Sequence, residues 1–124
     1  MDEAAFQRWL DGYVSARKTY DEGAIGALFS EDAEYRYHPW DQPIRGRAAI
    51  VANWLEDQDG PDSWSAGYHP WAIEGDRAVA VGVSRYFGAD RATVEREYHN
   101  VFLCRFDAEG RCRDFNEVYL RRAD

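Results

Sequence analysis

The chain is short of lysine, cysteine and long apolar runs. Its 124 residues include Lys18 as the one lysine against fourteen arginines, and Cys104 and Cys112 as the two cysteines. Each shortage excludes something. A membrane-spanning helix needs about 20 largely apolar residues in succession, and no such run occurs. The opening MDEAAFQRWL is acidic and has no basic region followed by an apolar one, so it does not read as a secretory leader. The formal net charge is −8, and the arginines are scattered among acids without forming a block. Neither nucleic acid nor a membrane is therefore expected as a partner. A glycine-rich phosphate loop is missing, and Ser30, Ser63, Ser65 and Ser84 lack the glycine-flanked setting of a hydrolase nucleophile. No cofactor is expected. Cys104 and Cys112 flank FDAEGR, and directly paired hairpin neighbours suit a disulfide poorly. They read as reduced core thiols, which points to a cytoplasmic location.

What is present is apolar and aromatic. With 45% hydrophobic and 15% aromatic residues, the chain has enough to bury one core, as a single domain over 1–124. Phe6, Trp9, Leu10, Tyr13 and Tyr20 recur at helical spacing, which predicts an amphipathic first helix interrupted at Gly23. AIGALF (24–29) predicts a short second helix ending at the polar SED. From Ala33 the pattern alternates: Ala33, Tyr35 and Tyr37 share one side, and Glu34, Arg36 and His38 the other, as in a half-buried strand. Pro39 and Pro43 end it, and Gly46 opens a third helix with Ile50, Val51, Trp54 and Leu55 on its apolar face. Beyond the loop DQDGPD (57–62), four strands joined by three short turns predict an antiparallel meander. Helices first and strands afterwards make an α+β domain, with the helices covering one sheet face.

The tetrapeptide YHPW occurs twice, at 37–40 and 68–71, in a chain with three histidines. The flanks differ, so it is not an internal repeat. His38, His69 and His99 lie about thirty residues apart, without the short spacings typical of zinc ligands, and no metal site is expected. By strand phase, His38 and His99 belong to the outer face of the sheet.

Strand phase also suggests a pocket. Phe102, Cys104 and Phe106 form an apolar side that Asn100 and Tyr98 continue, and an amide on such a face must find partners or a ligand. Glu117, in NEVY beside Val118 and Tyr119, would have its proton affinity raised in an aromatic pocket, as suits a general acid or base.

The stretches LFSEDAEYRYHPWDQPIRGRAAI (28–50) and FDAEGRCRDFNEVY (106–119), with the order of elements, resemble the cone-shaped nuclear transport factor 2-like fold in its SnoaL-like branch. The resemblance implies a curved antiparallel sheet wrapped around N-terminal helices, with a cavity between them. It spans isomerases, cyclases, dehydratases and hydrolases that work without a cofactor, and also domains that catalyse nothing. It places Glu117 at the acidic position of the last strand and aligns Arg85 with an arginine of the similar epoxide hydrolases. Phe87 falls where their second acid belongs, which argues against that hydrolysis. The expected catalytic residues are Glu117, Tyr37 and Arg85, with Arg85 setting the charge of Glu117. Tyr35, Asn100, Tyr98, Tyr119 and Trp54 are the expected contacts to a small, largely apolar substrate. The alternative is a non-catalytic homodimer, joined through the outer sheet face, that binds a ligand or partner in the cavity.

Overall fold

The structure is a computed structural model that describes residues 1–123. Helix α1 spans Glu3–Thr19, α2 Glu22–Leu28 and α3 Arg47–Glu56. The strands are β1 (Phe29–Arg36), β2 (Ile44–Arg45), β3 (Trp64–Glu74), β4 (Arg77–Phe87), β5 (Val94–Phe106) and β6 (Cys112–Arg121). They form one curved, open sheet in the order β2-β1-β6-β5-β4-β3. The meander from β3 to β6 is antiparallel as predicted, whereas β1 joins it by pairing parallel to β6. Among the described residues no helix is long and apolar enough to cross a membrane.

Local chemistry explains where the helices begin and end. Asp2 caps α1 by accepting from the Ala5 amide at 2.8 Å, satisfying one of the free N–H groups of the first turn. The helix ends at Tyr20, which adopts the left-handed conformation with φ 52°. The break thus falls three residues before the predicted Gly23, because Asp21 starts the next helix by accepting from the Ala24 amide. Gly23 lies inside α2. Strand β1 begins at Phe29, four residues ahead of the alternating pattern. Its pairing with β6 is irregular between Phe29 and Glu34, and a bulge of this kind breaks the period-two signal.

Aromatic rings fill the space between helices and sheet. The α1 residues Phe6 and Trp9 contact Phe106, with ring centroids 5.5 and 5.3 Å apart. Tyr13 lies against Phe102 and Phe115, and Tyr35 stacks on Phe115 at 4.7 Å. Fully burying a large apolar side chain contributes roughly 1.5–3 kcal/mol, so this cluster anchors the helices to the sheet. Cys104 and Cys112 are buried on the same face. In the hairpin Cys104 opposes Phe115 and Cys112 opposes Phe106. Gly82 permits a close crossing on β4: a β-carbon there would collide with the Gly67 carbonyl and the Tyr68 ring. Without that collision Tyr68 reaches across to Phe102, at 4.5 Å.

Candidate functional site

At the wide end of the sheet the core gives way to a cavity of about 370 Å³. Its lining comes from α1 (Tyr13, Arg17), from the segments after β1 and α3, and from strands β3 to β6. Glu117, Asn100, Tyr98, Tyr119 and Tyr37 all line it. They are the part of the expected site that the fold brings together.

Three neighbouring strands hold the carboxylate. Ser84 on β4 donates to Asn100 Oδ1 at 3.1 Å, and Asn100 Nδ2 on β5 donates to Glu117 Oε2 on β6 at 3.0 Å. Asn100 is 5% exposed, so its amide is committed to these two partners and its orientation is fixed. Glu117 makes no salt bridge among the described residues. Burial raises the proton affinity of Glu117 above the ordinary glutamate value, opposed by Arg17, by the Asn100 hydrogen bond and by His38. A shift in that direction brings a carboxyl group closer to the condition of a general acid or base.

Arg17 is the functional candidate that the sequence reading missed. It lies half-buried in the cavity wall, its guanidinium 4.1 Å from the Trp54 ring centroid and within 6 Å of Tyr13 and Tyr37. Its one hydrogen bond among the described residues goes to the Tyr35 hydroxyl, at 3.1 Å. The signal was available: Arg17 stands four residues after Tyr13 and seven after Leu10, which puts a charge on the buried stripe of α1.

Arg85 has to be reassigned. Its neighbour Ser84 faces the cavity, so Arg85 points to the opposite, outer face, where it donates to Glu97 at 2.8 Å. It cannot set the charge of Glu117 from there; the cation at the cavity is Arg17. Tyr35 and Trp54 also differ from expectation. Both are fully buried and lie behind Arg17 without lining the cavity. They support a site residue instead of meeting a substrate.

Tyr37 donates to Asn53 Oδ1 on α3 at 2.7 Å. Burial raises the proton affinity of the phenols, to about 12 for Tyr13 and Tyr86, with Tyr37 and Tyr119 shifted the same way. They present hydroxyls, not phenolates, at neutral pH.

His38 does not follow the strand phase that sends it outward. Strand β1 ends at Arg36, and the YHPW turn brings His38 to the rim. Its Nε2 lies 2.8 Å from the Tyr119 hydroxyl and its Nδ1 2.9 Å from Asp41, with Trp40 stacked on the ring. The second YHPW leaves His69 exposed on β3, and His99 bonds Glu97 on the outer face. Among the described residues no group of three His, Cys, Asp or Glu is placed to hold a metal ion.

An open curved sheet packed on N-terminal helices, with a cavity at its wide end, defines the nuclear transport factor 2-like class. A solved structure of this class is similar to the chain: an NTF-2-like protein of unknown function from Burkholderia xenovorans LB400, with a TM-score of 0.72 over 98% of this chain and 88% of that one. At 16% identity, that likeness concerns the fold alone. More specifically, the model of the SnoaL-like domain matches residues 6–115, and the chain belongs to that family. No curated protein matches it in sequence.

Proposed function

We propose that this SnoaL-like domain is a cofactor-independent enzyme that moves a proton on a small molecule bound in the cavity. Glu117 is the general acid or base, of the kind used in isomerase, cyclase or dehydratase chemistry. The observation that carries this reading is the state of Glu117: it faces a cavity, is held by one amide, and has no salt bridge among the described residues. A purely structural carboxylate would be expected in a closed ion pair. Arg17 lines the same space and supplies the positive potential that stabilises charge developing on a substrate oxygen, while Tyr37, whose hydroxyl proton goes to Asn53, presents an acceptor oxygen. Tyr119, coupled to His38 and Asp41, is the second proton-bearing group at the rim. Glu117 is the one cavity acid held on the sheet, since Asp57 and Asp59 come from the loop after α3; paired with an arginine from α1 it is not the arrangement of epoxide hydrolysis, and proton transfer next to a carbonyl is the better fit.

The test is a thermal-shift screen of wild type and Glu117→Gln against small ketones, enols, phenols and carboxylic acids, followed by turnover assays on the stabilising class. A ligand that binds the native state raises its melting temperature. A hit turned over by wild type and not by Glu117→Gln supports the reading. Equal turnover by both removes Glu117 from the chemistry.

A further inference from the structure

We propose that the cavity takes a small planar carboxylate, its anion held by Arg17 and its ring set among the tyrosines. Arg17 is a guanidinium at a cavity wall with no carboxylate partner among the described residues. Its one protein hydrogen bond, to Tyr35, occupies one of five N–H donors. Such a group, removed from bulk water, calls for an anion, and the flat fork of arginine matches a carboxylate edge-on.

The remaining lining narrows the class. Tyr13, Tyr37, Tyr68, Tyr86, Tyr98 and Tyr119 present ring surface with hydroxyl edges, which favours a flat unsaturated body over a bulky aliphatic one. Glu117, Asp57 and Asp59 border the same space, so a dianion such as a phosphate monoester meets repulsion that a monoanion largely avoids. Arg96, over the Tyr86 ring at 4.6 Å and donating to the Tyr98 hydroxyl, adds a positive charge near the rim. A volume of about 370 Å³ lies at the small end of the roughly 300–1,000 Å³ found for ligand pockets. The ligand is therefore polar at one end and compact, in contrast to the largely apolar substrate expected from the sequence.

This inference rests on the cavity being the active site, and the two fail separately. Calorimetric titration of the whole chain compares benzoate with its neutral isostere benzamide. Wild type is expected to prefer benzoate by about tenfold or more, the scale of a charge-assisted hydrogen bond, and Arg17→Met to lose that preference. Equal binding of the two by wild type, or a preference that survives Arg17→Met, overturns the proposal. Should Arg17→Met not fold, ¹⁵N spectra of wild-type arginine side chains decide. Benzoate, unlike benzamide, is expected to move the Arg17 Nε–H resonance, and an unmoved resonance counts against the anchor. Benzoate binding through Arg17 with turnover indifferent to Glu117→Gln would keep the anchor and reject the acid–base reading. Loss of turnover in Glu117→Gln with no carboxylate preference would do the reverse.

Discussion

Two glutamates on adjacent strands of one sheet meet opposite fates. Glu97 on β5 faces outward and is gripped by Arg85 at 2.8 Å, by His99 at 3.2 Å and by Arg122 at 3.2 Å. Its carboxyl is pulled down to about 2, first by the His99 hydrogen bond and then by the two arginines. Glu117 on β6 faces inward, has one amide donor, and is pushed up by burial. The outer acid is held in its charged form, while burial makes the inner one hold its proton more tightly. Side-chain phase on the sheet, not residue type, separates a surface ion-pair hub from a candidate catalyst.

The largest effect expected is on chemistry. Glu117→Gln should lower turnover of a substrate found by screening by roughly 10²- to 10⁴-fold, the usual worth of a positioned general acid or base. The same variant should be no less stable than wild type at neutral pH. A proton affinity raised on folding contributes stability that is full below the ordinary glutamate value and lost as pH rises through the elevated one. Above that range the charged Glu117 is a burden that glutamine lacks. Melting curves across pH check this, with the two proteins converging in acid.

A smaller effect should come from the amide that holds Glu117. Asn100→Leu leaves both Ser84 and Glu117 without a partner in a buried setting, at a cost of about 1–3 kcal/mol, and should push the proton affinity of Glu117 higher still. Denaturant unfolding measures the first and a pH–rate profile the second. At the rim, Asp41→Asn removes a half-exposed charged partner of His38. It should cost under about 1 kcal/mol while shifting the basic limb of the pH–rate profile through Tyr119.

The least effect on function is expected from Glu97→Gln, which should leave turnover unchanged. Its signature is acid sensitivity of the opposite sign. A lowered proton affinity contributes stability above the ordinary glutamate value that disappears as pH falls toward about 2. Wild type should therefore outlast Glu97→Gln near neutral pH, and the difference should vanish in strong acid.

The sequence shows most clearly what repeats with a period. The helical stripe of α1 and the long strands β3 to β6 are legible; strand phase directs Asn100 and Tyr98 toward one space, and the family resemblance adds Glu117. It failed where period fails. The irregular start of β1 hid four strand residues, and the parallel pairing of β1 with β6 joins segments far apart in sequence, which no local pattern reports. His38 lies past the end of β1 at Arg36, where the strand alternation no longer holds. Alignment with a resembling family puts Arg85 at the site, against the phase of its own strand: with Ser84 inward, Arg85 has to face out. Arg17 stands on the apolar stripe of α1, and its position there, not its charge alone, is the mark of a site. Whether a buried charge on a helix is an error or a site depends on which strands close around it.

The most direct test of this account is an NMR titration of the ¹³C-labelled glutamate carboxyls of Glu117 and Glu97 in the folded chain. Glu117 is predicted to titrate above the ordinary glutamate value of about 4.3 and Glu97 below it. A Glu117 that titrates at or below that value would contradict the account, because the inner carboxylate would then be as firmly committed to its charge as the outer one.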